Sequence, residues 1–486
     1  MKAILQKYKN LSKPLRASFW FLICSFLQKG ISVITTPIFT RLMTTAEYGN
    51  YNAFNSWLGI ITIFITLRLY SGVYNQGLVK FSEDRKIYSS SLQGLTLTLM
   101  TGWTVVYFLF RPFFNQIFSV TTVQMLAMLV MIWTTAVFNF WAAEQRVSFE
   151  YRKLVLVTLL VSLAKPVIGV IFVIHAEDKV TARILGLALV ELIGYSWMFI
   201  VQLLRGRTFY SARFWKHALK FNLPLIPHYL SAVVLNSSDR LMIRSMVSES
   251  AAGIYSLAYS VSQIMTLFNT ALVQTINPWM YQKIKDDKTE DLPGVAYPAL
   301  LLIALINLLL IAFAPEIVAV FAPAEYYDAV YVIPPVAMSV YFMFAYSLFA
   351  NFEFYYEKTK LISAATTFGA VLNLVLNYIC IPVFGYAAAG YTTLVCYIFY
   401  TVFHYIFMLR VCDEFLDGRR VYDTKKLLLL TGGFCGSGFL LLFSYGQPPL
   451  RYALLLCMLA ALFVFRKKLT RMLRSLLKKK KEPEKI

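Results

Sequence analysis

A chain of 486 residues that is 58% hydrophobic, 16% aromatic and only 15% charged is too apolar for a soluble protein and too poor in charge to cover a water-exposed surface. Its net charge of +21 would suggest nucleic acid in a soluble chain, but here it has to be read against membrane topology. Cys24, Cys380, Cys396, Cys412, Cys435 and Cys457 show no paired spacing, so neither a disulfide framework nor a zinc site is indicated.

Apolar runs long enough to cross ~30 Å of hydrocarbon recur along nearly the whole chain. Continuous apolarity, rather than alternation at every second residue, selects helices over a barrel. The runs predict an all-α polytopic membrane protein with about fourteen transmembrane helices, at 17–38, 51–75, 87–110, 117–141, 154–174, 184–204, 217–238, 251–275, 295–314, 330–352, 361–382, 386–409, 427–444 and 449–465. The first follows Lys2, Lys7, Lys9, Lys13 and Arg16, as a signal sequence would. It is too long for one and lacks a small-x-small cleavage site, so it reads as a retained helix.

In that helix Ser25, Gln28, Lys29, Ser32 and Thr36 fall on one face, with Lys29 roughly 18 Å along the axis at ~1.5 Å per residue. The second helix carries Arg68, Ser71, Gly72 and Asn75 at similar spacing, and Lys165 lies near mid-depth in the fifth. An ionisable group at that depth costs at least ~2.5–3.5 kcal/mol to insert, so it faces a wet cavity or a partner. Glu191, in the middle of the sixth helix, is the one clear deep anion. Lys165 therefore reads either as its ion-pair partner or as a cavity residue. Lys29 and Arg68 have no obvious partner in the sequence and read as cavity residues. A wet pocket lined by Lys and Arg asks for an anionic substrate; Arg suits phosphate through its bidentate fork and Lys as a point charge.

The seventh helix holds Pro224, Pro227, His228, Ser231, Asn236 and Asp239. Its prolines can break the helix where it lines a cavity, and its polar residues fall on one side. A lone buried histidine such as His228 is more often hydrogen-bonded structure than a proton carrier. The eighth adds Tyr255, Tyr259, Ser262, Thr266 and Asn269 on one face, and the eleventh adds Asn373 and Asn377, which read as glue between helices. The tail 466–486 reads as a basic amphipathic helix and lysine run that contacts anionic lipid.

The halves echo each other. Arg41-Leu42-Met43 and then Tyr48-Gly49-Asn50-Tyr51 stand between helices one and two; Arg240-Leu241-Met242 and then Ala252-Gly253-Ile254-Tyr255 stand between seven and eight. The repeat implies two six-helix bundles plus two C-terminal helices, divided as 1–210, 211–410 and 411–465 with the tail 466–486, and a substrate site between the lobes. Most Lys and Arg fall on one side of the membrane; Arg41, Arg111, Lys179, Arg183, Arg240, Arg244 and Arg451 are the exceptions at the outer loops. That bias places both termini in the cytoplasm and makes the charge a report of topology and lipid contact, not of nucleic acid. No nucleophile elbow, phosphate loop or metal pair is present, and His175, His217, His228 and His404 lie on separate segments, so no enzyme is indicated.

Three stretches carry a resemblance: Phe26–Trp57; Ser238-Asp239-Arg240 followed by Ala252–Tyr259; and Val371–Asn377 with Ile381–Gly385 and Ala388–Gly390. Together they resemble O-antigen and capsule flippases of the Wzx type, in the polysaccharide transporter branch of the multidrug/oligosaccharidyl-lipid/polysaccharide (MOP) superfamily. The resemblance implies a V-shaped pair of bundles around a cationic cavity in a bacterial inner membrane. It implies as cargo an oligosaccharide repeat unit on undecaprenyl diphosphate, passed to the periplasmic leaflet for polymerisation, with polymerase and assembly proteins as partners. Lys29, Arg68 and Lys165 would meet the phosphates; Gln28, Ser32, Asn75, Tyr255 and Tyr259 belong to the hydroxyl and amide stripes that suit sugars. Glu191, Asp239 or His228 would couple transport to H+ or Na+, with no cofactor; pull by downstream polymerisation is the other energy source. The alternatives are a drug or cation antiporter of the same superfamily, which wants a carboxylate-lined cavity, and a membrane-embedded glycan polymerase or acyltransferase, which wants charged residues on a long outer loop.

Overall fold

The computed structural model describes residues 13–458 and 460, and among these residues the chain forms eighteen α-helices, a further helical run over 448–458 and no strand. The tail 466–486 and its expected lipid contact lie outside the described residues. Among the described residues ten stretches are long and apolar enough to cross a bilayer, making this a multi-pass membrane protein. The described residues form two compact units, the first comprising 13–244 with 248–253 and the second 245–247 with 254–458.

In unit 1 the helices are α1 (Lys13–Leu42), α2 (Thr45–Thr66), α3 (Gly72–Lys80), α4 (Arg85–Leu109), α5 (Arg111–Phe118), α6 (Thr122–Val147), α7 (Tyr151–Ile174), α8 (Lys179–Gly206), α9 (Ala212–Asn222) and most of α10 (Ile226–Met246). Local chemistry starts several of them. Thr44 and Glu47 form a capping box at α2, Thr121 and Gln124 another at α6, and Asp178 accepts from the Thr181 N–H at α8. Phe54, Ile61, Ile65, Met128, Ile132 and Ile184 pack α2, α6 and α8 into one core. Tyr74, Tyr88, Phe140 and Phe214 pack α3, α4, α6 and α9 into a second. Arg183, expected at an outer loop, lies buried in α8 with its guanidinium carbon 3.6 Å from the Phe39 ring centre and 3.5 Å from that of Tyr51.

The echoed glycines meet. A Cβ on Gly49 would overlap the Glu249 carbonyl oxygen and stand 2.8 Å from the Gly253 nitrogen. A Cβ on Gly253 would overlap the Thr45 carbonyl oxygen and stand 3.2 Å from the Gly49 nitrogen. Thr45 and Glu249 occupy equivalent places four residues before each glycine, so the two repeat motifs cross each other with near two-fold symmetry. Thr45 and Ser250 seal the crossing through a 2.7 Å hydroxyl contact. Only glycine lets two helix backbones approach this closely.

Unit 2 contains most of α11 (Glu249–Ser262), then α12 (Ile264–Lys285), α13 (Pro293–Ala312), α14 (Ala314–Phe321), α15 (Ile333–Tyr355), α16 (Thr359–Phe384), α17 (Ala388–Phe415), α18 (Thr424–Phe443) and a helix over 448–458. Charge-free until Glu353, α15 is buried along nearly its whole length and packs against α12, α13, α17 and α18. Asn373 and Asn377 act as the expected glue: Asn377 donates to Asn373 at 3.2 Å and accepts from Thr392 of α17. At α18 the exposed Asp423 accepts from the Lys425 and Lys426 N–H groups, and the Lys426 contact leads in holding its carboxyl below the usual range.

Candidate substrate-binding site

The second crossing, expected as one helix over 51–75, is two helices separated by Leu67–Ser71. Leu67 and Arg68 both take φ of 49°, the left-handed region, at about 1–2 kcal/mol each for residues with a Cβ. Their support comes from elsewhere in the unit. Arg68 donates its N–H to the Thr66 hydroxyl at 3.2 Å, and Asn222, 0% exposed, donates its amide to the Leu67 carbonyl at 2.7 Å. Asn222 ends α9, where Pro224 turns the chain through a 3-10 segment, Leu223–Leu225, before α10. Two interrupted crossings thus adjoin, and an amide at the end of one satisfies a carbonyl freed at the other. Non-helical backbone at membrane depth persists only when buried in protein or lining a wet cavity.

Arg68 sits on this non-helical segment, half-buried, with its guanidinium carbon 5.3 Å from the Tyr229 ring centre. The break also disposes of the expected helical stripe: Arg68 and Ser71 precede α3, Gly72 opens it, and Asn75 is exposed within it. Ring and guanidinium together offer a planar cation beside an aromatic face, a pairing suited to phosphate on one side and a sugar ring on the other.

Lys165 pairs with Glu191 at 2.6 Å, their side chains 30% and 5% exposed. Glu191 also accepts from Thr134 at 3.0 Å and Thr135 at 3.4 Å, so its charge is well met. On α1, Lys29 and Ser32 are exposed, Thr36 is buried, and Gln28 donates to Ser162 of α7 at 3.2 Å. On α10, His228 is half-buried beside Tyr229, Ser231 and Asp239 are buried, and Asn236 is exposed. The polar residues of the seventh crossing therefore do not share one environment. In unit 2, Tyr255 is buried and Tyr259 half-buried, their ring centres 6.3 Å apart.

Tyr229 and Asn222 were not singled out by the sequence. An Asn followed closely by Pro was a usable signal for an interrupted helix; nothing near Leu67 announced its acceptor. A second unanticipated pair, Glu353 and His404, lies buried in unit 2.

These interrupted helices and deep charges belong to a polytopic membrane protein. The fold agrees: the structure resembles the lipid II flippase MurJ in an inward closed conformation, with a TM-score of 0.62 and 12% identity over 88% of this chain and 98% of that one. It resembles an inward-facing multidrug resistance MATE family transporter of the MOP superfamily equally well, at 0.62 and 12% over 79% and 95%. In sequence the chain is 23% identical to a protein of the Lsg locus of Haemophilus influenzae over 74% of this chain and 89% of that protein. It is 28% identical to the probable low-salt glycan biosynthesis flippase Agl15 of Haloferax volcanii, over 34% and 36%. Residues 15–285 match the polysaccharide biosynthesis protein family, and the chain belongs to that family. The family match and the apolar helices together make it a membrane protein of polysaccharide biosynthesis.

Proposed function

We propose that the chain moves an oligosaccharide repeat unit linked to undecaprenyl diphosphate from the cytoplasmic to the periplasmic leaflet of a bacterial inner membrane, by alternating access. The observation that carries this reading is Arg68: a cation held at a helix break, on strained backbone, beside an aromatic ring. Holding Arg68 there costs backbone strain at two consecutive residues, which supports a binding role. A diphosphate bound there would receive charge-assisted, bidentate hydrogen bonds, while its prenyl tail stays in lipid and its sugars meet hydroxyl and amide groups.

Lys29, exposed on α1, is the second phosphate contact in this reading. Lys165 contributes less, because Glu191 already holds it. Gln28, Ser32, Asn75, Tyr255 and Tyr259 are proposed for the sugars. The membrane orientation, with both termini in the cytoplasm, follows from the basic-residue bias.

The test is surface polysaccharide in a deletion strain complemented with single variants, normalised to protein abundance. Each charge-assisted hydrogen bond contributes ~1.5–3 kcal/mol, so its loss weakens substrate retention by roughly tenfold or more. Arg68→Ala and Lys29→Ala abolish export at normal abundance, and Arg68→Lys, which keeps charge but loses the fork, is intermediate. Wild-type export from both alanine variants would overturn the assignment.

A further inference from the structure

Unit 2 holds a buried acid–base contact that substrate binding does not use. Glu353, near the end of α15, and His404, within α17, are 0% and 2% exposed, with the imidazole Nδ1 2.7 Å from Glu353 Oε1. The other carboxylate oxygen, Oε2, is buried without a hydrogen-bond partner. Tyr346 stacks on the imidazole at 5.3 Å between ring centres, and Tyr400 lies at 5.8 Å.

A buried carboxylate with one oxygen unmet is strongly disfavoured as a lone anion. It is tolerable when exactly one proton is shared, as imidazolium with carboxylate or as imidazole with carboxylic acid; both forms are neutral overall. Removing that proton leaves a buried negative charge, and adding another leaves a buried positive one. The pair therefore keeps one proton while enclosed, and can exchange it only when a conformational change admits water.

The packed helices supply no competing buried charge among the groups seen near the pair. From α15 and α17 come the phenols Tyr346 and Tyr400, from α12 Tyr281 against Tyr355, and from α13 Tyr297 against Tyr422. The α16 side contributes the Thr366 hydroxyl beside Tyr400. Lys358 and Glu414 pair with each other at 2.6 Å and are 31% and 54% exposed. A hard cation such as sodium wants several oxygen ligands, whereas here an imidazole nitrogen occupies one of the two carboxylate oxygens.

We propose that Glu353 and His404 form a proton-binding site that couples translocation by this chain to a proton gradient. The coupling rests on the flippase reading above; the proton binding does not. The experiment therefore has two arms on full-length protein. In proteoliposomes carrying a lipid-linked oligosaccharide, translocation is measured with and without a one-unit pH gradient, worth up to ~tenfold per coupled proton. Wild type responds, and Glu353→Gln loses the response. In detergent without substrate, where the protein can open and admit water, pH-difference infrared spectra show a carboxyl or carboxylate band of the pair that Glu353→Gln removes. A wild type that translocates without responding to the gradient, a Glu353→Gln variant that responds as wild type does, or a band that survives the substitution overturns the proposal. A wild type that shows the infrared band but translocates no glycan would instead sink the flippase reading. The Glu353→Met, His404→Leu double variant guards against a folding artefact, since removing both partners of a buried pair can be neutral. It should keep wild-type thermal stability and still lack the band; its retention of the gradient response would likewise overturn the proposal.

Discussion

Replacing Gly49 with alanine forces a methyl group against the facing helix. Ordinary van der Waals contact is 3.4–4 Å, yet the new Cβ would stand 2.8 Å from the Gly253 nitrogen and inside the Glu249 carbonyl. Both obstacles are backbone, so no rotamer change relieves them; the Glu249 oxygen, 2.0 Å away, forces the helices apart by roughly 1.4 Å and breaks the Thr45–Ser250 contact. Overpacking of this kind costs ~1–3 kcal/mol or more. Gly253→Ala meets the same arrangement in mirror positions, so the two single variants should lose similar stability. The double variant should lose less than the sum, because one separation serves both methyl groups. Thermal unfolding in detergent, followed by intrinsic tryptophan fluorescence, measures all three. Two single variants with wild-type midpoints would refute the close crossing, and strict additivity would refute the claim that both methyls relieve one contact.

Glu191→Gln strips the charge from a 5%-exposed partner and should destabilise toward the low end of ~3–5 kcal/mol, because Lys165 retains some solvent; adding Lys165→Met should restore part of the loss. Asn222→Ala leaves the Leu67 carbonyl unmet, worth ~1–3 kcal/mol, and should depress glycan export more than abundance because it releases the Arg68 segment. Reporter fusions at Arg213 and Lys425 should report cytoplasmic locations and those at Ala176 and Gln447 external ones; the reverse would overturn the proposed orientation.

The helical architecture was legible because lipid leaves the backbone few choices, and the Lys165–Glu191 pair was legible as one of two readings of Lys165, because deep opposite charges seek each other. The break at Leu67 was not. No proline or glycine occupies 67 or 68, and the acceptor that stabilises the break is satisfied by an amide 155 residues away. The repeated Gly-x-Tyr was visible as a pattern, but sequence periodicity does not say that repeated glycines touch each other. Arg183 looked like a loop charge because aromatic burial of a guanidinium depends on Phe39 and Tyr51, brought from other helices. His404 looked isolated because Glu353 lies just beyond the expected end of its span, on a different helix.

The most direct measurement of the central claim is leaflet sidedness. Purified wild-type protein and Arg68→Ala, reconstituted into liposomes with an undecaprenyl-diphosphate-linked oligosaccharide, are probed with an impermeant glycosidase that cleaves only outward-facing sugar. Wild type should move the protected pool into reach of the enzyme, and Arg68→Ala should leave it protected. Equal cleavage with wild type and with protein-free liposomes would contradict glycan translocation, and equal cleavage with wild type and Arg68→Ala would contradict the role given to Arg68.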